Sequence, residues 1–488
     1  MGLRDKISIG FRADLSSQMI KNISSGVMAV VLARLLSPDG YGLLYLTVTV
    51  LTICTLFARL GFGQSAARYI TEYEELDRGQ IPHILETVII ALAITLSIVA
   101  VTVIFVREQL AVIFGDSEIA PLLTVGVLYI ISGGIVGVGR RLCQGFKAIK
   151  WAAYVRIVES IVRPVVAISL VLAGVGVVGA LIGYIAGSVI GSIIAIGYVG
   201  YRYRRSDRSI IKPNLRRQIV EYSLPITLTQ NADTVIKRID VLLIGVFLTP
   251  LAVSYYVVAK QIITFLKAPA NSLGFAISPR YSEQVQKGNL ETASKLYEEA
   301  LTGTLAFYVP AMVGLIIVAE PTLSLLFGPA YIGGTTVLQI LTLYLLAQTV
   351  SYITGGGLNF LGKAKIRAYL KASAAIFNLL LNIILIPTIG IIGAAISSAG
   401  TYSIYVAANV YLIHRELDLD WWSIGPRLIK VALVTTFMTV VVFPASYLIN
   451  GPISLIGVVL VGGVIWLLSC LATGLINTRE LYSALPNI

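Results

Sequence analysis

The chain has 488 residues, 57% of them hydrophobic and 13% charged, and 37 Lys and Arg against 25 Asp and Glu give a net charge of +12. Too little polar surface is left to cover a water-soluble globule of this length. The composition therefore specifies an all-α polytopic membrane protein and excludes a soluble enzyme.

In chain order, the first fourteen residues are mostly polar and the apolar stretch after them is long enough to remain as a helix, so no cleavable signal is expected. Fourteen apolar segments are read, at about 15–36, 41–63, 83–105, 118–138, 151–172, 177–199, 219–248, 252–276, 300–319, 333–356, 368–387, 391–413, 428–449 and 453–475. With the amino terminus in the cytoplasm, the outer loops hold only Arg107 of all the lysines and arginines, and the inner segments hold most of the rest. That asymmetry puts both termini inside. The basic excess is then a topology signal, and no nucleic-acid partner is expected.

Cys54, Cys143 and Cys470 lie in or beside apolar runs, and His83 and His414 fall in separate segments. Neither a disulfide framework nor a metal site is expected. Gly145-Phe146-Lys147 and Gly362-Lys363 lack the spacing of a phosphate loop, so neither ATP-driven transport by this chain alone nor a cofactor is expected. The outer loops 37–40, 173–176, 249–251 and 388–390 are short, and the two longest, 107–118 and 320–332, carry only Glu108, Asp116, Glu118 and Glu320 as acids. A membrane enzyme of glycan assembly needs more than such scattered acids, so no covalent chemistry is expected.

The stretch Gln144–Gly187 recurs as Asn359–Gly400. Ala153-Tyr154 matches Ala368-Tyr369, and Gly176-Val177-Val178-Gly179-Ala180 matches Gly390-Ile391-Ile392-Gly393-Ala394, at an offset constant to within one residue. Arg68-Tyr69 with Glu72 pairs similarly with Arg280-Tyr281 and Glu283. The polar stretch after the latter, 282–299, is long enough for a surface helix. A steady offset marks duplicated halves, a common construction of secondary transporters. The basic linker Tyr201–Arg217 separates six segments from six, and an even number keeps both halves the same way up. The expected organisation is an N-lobe at 1–208, a C-lobe at 209–415, and a final pair of helices without counterpart at 416–488.

An ionisable residue at mid-span costs roughly 2.5–3.5 kcal/mol on insertion scales, so it faces a partner or a watery cavity. Arg59, Arg156, Lys371 and Lys430 lie near the inner face and Arg34 near the outer one, within snorkelling reach. Arg156, Glu159 and Arg163 share one helical face and leave one positive charge uncompensated. In 219–248, Lys237 is spaced to pair with both Asp233 and Asp240, either as a structural network or as a moving element, while Arg238 points elsewhere. Tyr256, Lys260, Thr264, Lys267 and Asn271 form a stripe with two lysines and no acid, and Gln18, Lys21, Asn22 and Ser25 a shorter one. A cavity lined by Lys21, Arg163, Lys260 and Lys267, with Arg238 nearby, is net positive and suits a phosphate or pyrophosphate passenger.

Leu361-Gly362-Lys363-Ala364-Lys365, then Asn378 and Asn382, then Ile386-Pro387-Thr388-Ile389-Gly390-Ile391-Ile392-Gly393-Ala394, resemble a signature of the polysaccharide transporters in the multidrug/oligosaccharidyl-lipid/polysaccharide exporter superfamily. Ala33-Arg34-Leu35-Leu36-Ser37-Pro38-Asp39-Gly40-Tyr41-Gly42 and Gly61-Phe62-Gly63-Gln64-Ser65-Ala66 resemble the first two helices of O-antigen-type flippases. Pro387 is read as the stop of its helix. The resemblance implies a pair of six-helix lobes that open alternately inward and outward around a cationic cleft. It implies a flippase for polyprenyl-phosphate- or pyrophosphate-linked sugars and oligosaccharides in the cytoplasmic membrane of a prokaryote. The bilayer is one partner, and glycosyltransferases of glycan assembly are another. Lys260, Lys267, Arg163, Lys21 and Arg238 are the expected substrate-binding residues, and Asp233, Lys237, Asp240, Arg156 and Glu159 the expected gating or coupling group. The alternatives are a cation-coupled multidrug exporter of the same superfamily, a membrane enzyme of glycan assembly, and a scaffold for glycosyltransferases.

Overall fold

The computed structural model describes residues 3–475, and the side chains of 3–13, 15, 228–233, 275, 276, 278 and 282 lie outside the described set. Every regular element among the described residues is helical. The chain divides into two compact units, Met1–Ser254 and Tyr255–Ile488.

The first unit holds α1 (Leu3–Leu35), α2 (Pro38–Arg59), α3 (Phe62–Leu76), α4 (Ile81–Ile113), α5 (Ile119–Gly145), α6 (Ile149–Leu172), α7 (Gly176–Arg204) and α8 (Leu215–Phe247). α5 lies inside this unit, packed on α2, α3, α4 and α7, while α6 is held between α1 and α7. The α6–α7 contact is close because α7 presents Gly183, Gly187 and Gly191 on one face. A Cβ at Gly183 would lie 2.5 Å from the Ala167 nitrogen, and one at Gly187 would lie 3.0 Å from the Glu159 carbonyl oxygen. Small residues spaced by four let helix backbones meet in an apolar medium where no hydrophobic force drives them together. α8 packs on α2, α3 and α4, so the contact boundary falls after residue 254, later than the repeat boundary expected at 208.

The apolar segment read at 41–63 ends early, at Arg59, because Leu60 and Gly61 adopt left-handed φ of 37° and 68°. At Gly61 a side chain would stand 2.5 Å from the Ser223 carbonyl of α8. The chain turns there into α3, where Ser65 Oγ donates to the Ile219 carbonyl at 2.8 Å. After α7, the connector is tied back to the short turn before α4. Gln80 Nε2 donates to Ser209 Oγ and to the Ile210 carbonyl at 2.7 Å each, and Gln80 Oε1 accepts from the Lys212 backbone N–H at 3.0 Å.

α9 (Pro250–Leu266) runs across the boundary, and the second unit continues with α10 (Ala268–Gln286), α11 (Leu290–Ile317), α12 (Ala319–Phe327), α13 (Thr335–Phe360), α14 (Ala364–Ile389), α15 (Ile391–Leu417), α16 (Trp421–Ser446) and α17 (Pro452–Thr473). Its core joins α10, α11, α13 and α15 through Tyr281, Tyr297, Leu301, Val350, Ile353 and Tyr405. α11 is unbroken from Leu290, so 290–299 is the start of a long helix and not a separate surface helix. α14 runs through Pro387 and stops at Gly390, whose φ of 68° ends the helix; a proline in the last turn leaves the preceding turns intact.

The span expected at 252–276 is bent by 41° between α9 and α10. Pro269 in the first turn of α10 has no N–H to continue the ladder. The bend frees the Leu266 carbonyl and the Ala270 N–H, and Tyr308 of α11 serves both: its hydroxyl donates to Leu266 O at 3.0 Å and accepts from Ala270 N at 3.0 Å.

Among the described residues, ten helices are long and apolar enough to cross a membrane, or eleven if the bent pair counts as one span. α1, α6 and α8 fall short because of the polar and charged residues they carry, among them Lys21, Arg156, Glu159, Arg163, Lys237, Arg238 and Asp240.

Replacing Tyr308 with Phe takes the partner from the buried Ala270 N–H and the half-buried Leu266 carbonyl at the bend. At about 1–3 kcal/mol for an unsatisfied group, the variant is expected to unfold at a lower temperature than wild type in the same detergent. An unchanged melting temperature would show that the bend does not rely on this hydroxyl.

Candidate functional site

The charges of α6 do not form one face with a surplus. Glu159 is buried, and it accepts from Arg163 Nη2 at 2.7 Å and, from α5, Arg140 Nη1 at 3.1 Å. The Arg163 guanidinium also lies 4.8 Å from the centre of the Tyr184 ring, a desolvated cation–π contact. Arg156 takes a different direction. Its Nη1 donates to Asp14 Oδ1 at 2.8 Å and to Ser17 Oγ at 3.0 Å, so α1 compensates the charge that had been expected to remain free.

Arg59 does not snorkel. It folds back against α5, where its guanidinium donates to the Gly133 carbonyl and its buried Nε has no hydrogen-bond partner among the described residues. The niche exists because position 137 is glycine: a Cβ there would stand 2.2 Å from Arg59 Cζ.

These residues converge on a cavity of about 470 Å³ inside the first unit. Lys21, Arg59, Arg140, Arg141 and Arg156 line it together with Gln18, Gln64, Gln144, Thr52, Thr55, Tyr129 and Thr234, and among the described residues no Asp or Glu lines it. Of the expected substrate-binding residues Lys21 is on this wall, while Arg163 stands behind it, held by Glu159. Arg59, Arg140 and Arg141 were not expected there. The one hint was the run Gly133-Gly134-Ile135-Val136-Gly137-Val138-Gly139-Arg140-Arg141, in which a glycine-rich helix leads straight into two arginines.

The turn that follows is stapled from below. Lys147 adopts a left-handed φ of 55° and donates to Glu75 Oε1 of α3 at 2.8 Å. That hydrogen bond holds the Glu75 carboxyl below its ordinary range and raises the Lys147 ammonium. The matching turn of the second copy uses Gly362, with φ of 75°, and Lys363 there pairs with Glu416 at 2.8 Å.

On α8, Arg238 Nη1 donates to Thr49 Oγ1 of α2 at 3.3 Å, Asp240 is buried, and Lys237 is exposed. The side chain of Asp233 lies outside the described residues. In the second unit, Lys260 Nζ lies 5.0 Å from the centre of the Tyr256 ring, whose hydroxyl meets Ser398 Oγ at 3.3 Å. Lys267 stands at the α9–α10 bend, so the stripe from Tyr256 to Asn271 is divided between two helices of different direction. Among the described residues no three His, Cys, Asp or Glu side chains cluster in a way that could hold a metal ion.

A family model described as "Polysaccharide biosynthesis protein" matches residues 11–285, and one described as "MatE" matches 225–384. An uncharacterized membrane protein of Methanocaldococcus jannaschii is 24% identical over 100% of this chain and 99% of its own length. The "Probable low-salt glycan biosynthesis flippase Agl15" of Haloferax volcanii is 24% identical over 48% of this chain and 51% of its own. Among solved structures, the lipid II flippase MurJ in an inward closed conformation shares the fold with a TM-score of 0.75 at 16% identity, covering 96% of this chain and 98% of that one. An inward-facing MATE multidrug transporter follows at 0.68 and 16% identity, over 83% and 98%.

Glu159→Gln removes the one carboxylate shared by Arg140 and Arg163. Leaving buried cations uncompensated is expected to destabilise the first unit by about 3 kcal/mol, read as a lower melting temperature. Adding Arg163→Leu to that variant should recover part of the loss, and no recovery would mean that the pair does not depend on charge.

Proposed function

Because the chain belongs to the family described as "Polysaccharide biosynthesis protein", we propose that it is a flippase. It moves polyprenyl-phosphate- or pyrophosphate-linked sugars or oligosaccharides across the cell membrane of a prokaryote by alternating access. The observation that carries this reading is the cavity with five cationic side chains and, among the described residues, no lining carboxylate. At an effective dielectric of about 20, one unit-charge pair at 4 Å contributes about 4 kcal/mol. Several cations around one phosphate thus offset the loss of its hydration, and arginine forks add directed hydrogen bonds. The likeness to a probable glycan biosynthesis flippase and the fold shared with a lipid II flippase support the same cargo class.

In this reading α1, α6 and α8 complete fourteen crossings, both termini are cytoplasmic, and the lobes are the repeats 1–208 and 209–415 with a helix pair at 416–488. Lys21, Arg59, Arg140 and Arg141 take the phosphate head in the first unit. Lys260 and Lys267 hold phosphate in the second unit, and Arg163 and Arg238 are further ligands in the first. Asp233, Lys237, Asp240, Arg156 and Glu159 form the gating group. A cargo shifts the inward and outward states only through its different affinity for them. Glu159 offers such a difference, since a phosphate that engages Arg140 competes with the carboxylate. No covalent step is assigned. Enzymes of glycan assembly are the natural source of such a cargo and are proposed as partners.

The second reading is a cation-coupled exporter of small amphipathic drugs, favoured by the MatE match at 225–384 and the MATE-like fold. Cations on the cavity wall repel cationic drugs, which weighs against it.

In proteoliposomes, wild type is expected to move a polyprenyl-pyrophosphate oligosaccharide out of reach of an added glycosidase. Arg59→Gln with Arg140→Gln, and separately Lys260→Gln with Lys267→Gln, should each slow this by about tenfold or more, the effect of about 1.4 kcal/mol. Transport unaffected in correctly inserted variants would remove those residues from the site. Cation-driven efflux of lipophilic dyes without any glycan transport would favour the exporter.

A further inference from the structure

A second polar cavity, of about 650 Å³, lies wholly within the second unit, among α10, α11, α16 and the end of α17. Leu273, Ile277 and Leu296 give it an apolar lining and Arg280, Arg427 and Lys430 a cationic one, with Glu299 the one acid among the described lining residues. Among the described residues neither Arg280 nor Arg427 has an ion-pair partner. Lys430 is anchored, donating to the Thr473 carbonyl at the end of α17 at 2.8 Å.

Depth is marked independently. Trp421 and Trp422 open α16, and Trp422 is 91% exposed; paired tryptophans at a helix end sit at the headgroup level of a bilayer. Arg427 and Lys430 follow one and two turns further into the span. The floor is empty by design of the sequence: Gly303 faces open space, where an added Cβ meets no atom within 4 Å. A pocket that sets cationic and apolar side chains together near headgroup depth has the two-part chemistry of a phospholipid.

We propose that this cavity binds the phosphate headgroup of a resident anionic membrane lipid, with Arg280 and Arg427 as its ligands and the first methylenes of its chains along Leu273, Ile277 and Leu296. The site is separate from the cavity of the first unit and does not depend on the cargo assigned to it.

The test uses the full purified chain in detergent with equal amounts of phosphatidylglycerol and phosphatidylcholine, and native mass spectrometry reads the bound lipids. Wild type should retain phosphatidylglycerol preferentially. Arg280→Gln with Arg427→Gln, which removes two cations, and Gly303→Leu, which fills the floor, should each lower that preference roughly tenfold. The two act by different means, so a folding defect in one leaves the other to decide. An unchanged preference in both overturns the proposal. So does equal protection against thermal unfolding by millimolar inorganic phosphate alone, which makes it a free-anion site, or displacement by a polyprenyl phosphate, which makes it a cargo site.

Discussion

An arginine set between apolar helices must find an acceptor, and this chain supplies acceptors sparingly. Glu159 serves two guanidiniums, Asp14 serves one, and Arg59 takes a backbone carbonyl on a helix opened by glycine. Each arrangement ties a different pair of helices: α5 to α6, α1 to α6, and α2 to α5. The first unit is thus held by the same groups that charge its cavity. Breaking one of these contacts exposes a cation and loosens a helix pair at once. A cavity that has to bind an anion and also rearrange gains from that coupling, because occupancy and packing then respond to one event.

Much of the fold was legible because hydropathy marks helices well when they face lipid. It was least legible where helices carry charge. α1, α6 and α8 combine span length with polar stripes, and reading them from sequence required weighing depth against hydropathy. Local backbone breaks escaped for another reason. Pro269 and Gly61 signal a turn, but whether a helix bends or continues depends on a partner distant in sequence, Tyr308 in one case and the Ser223 carbonyl in the other.

The site was legible in kind and less so in detail. Lys21 stood out as a lysine inside an apolar run. Arg140 and Arg141 did not, since they follow the apolar segment and resemble ordinary inner-face charges. The rule that pairs residues three or four apart found Glu159 with Arg163. It had no means of finding Arg140, which reaches the same carboxylate from a neighbouring helix, or Asp14, which reaches Arg156 from another. Intrahelical spacing predicts intrahelical pairs only, and a bundle's electrostatics are mostly between helices.

The niche at Gly137 makes positions 59 and 137 a single variable. The space a side chain at 137 would take is the space the Arg59 guanidinium occupies. A larger residue at 137 displaces the guanidinium or favours a shorter residue at 59, and either change alters the cavity wall. Drift at this glycine would therefore read out as a change of cavity charge, although the residue itself carries none.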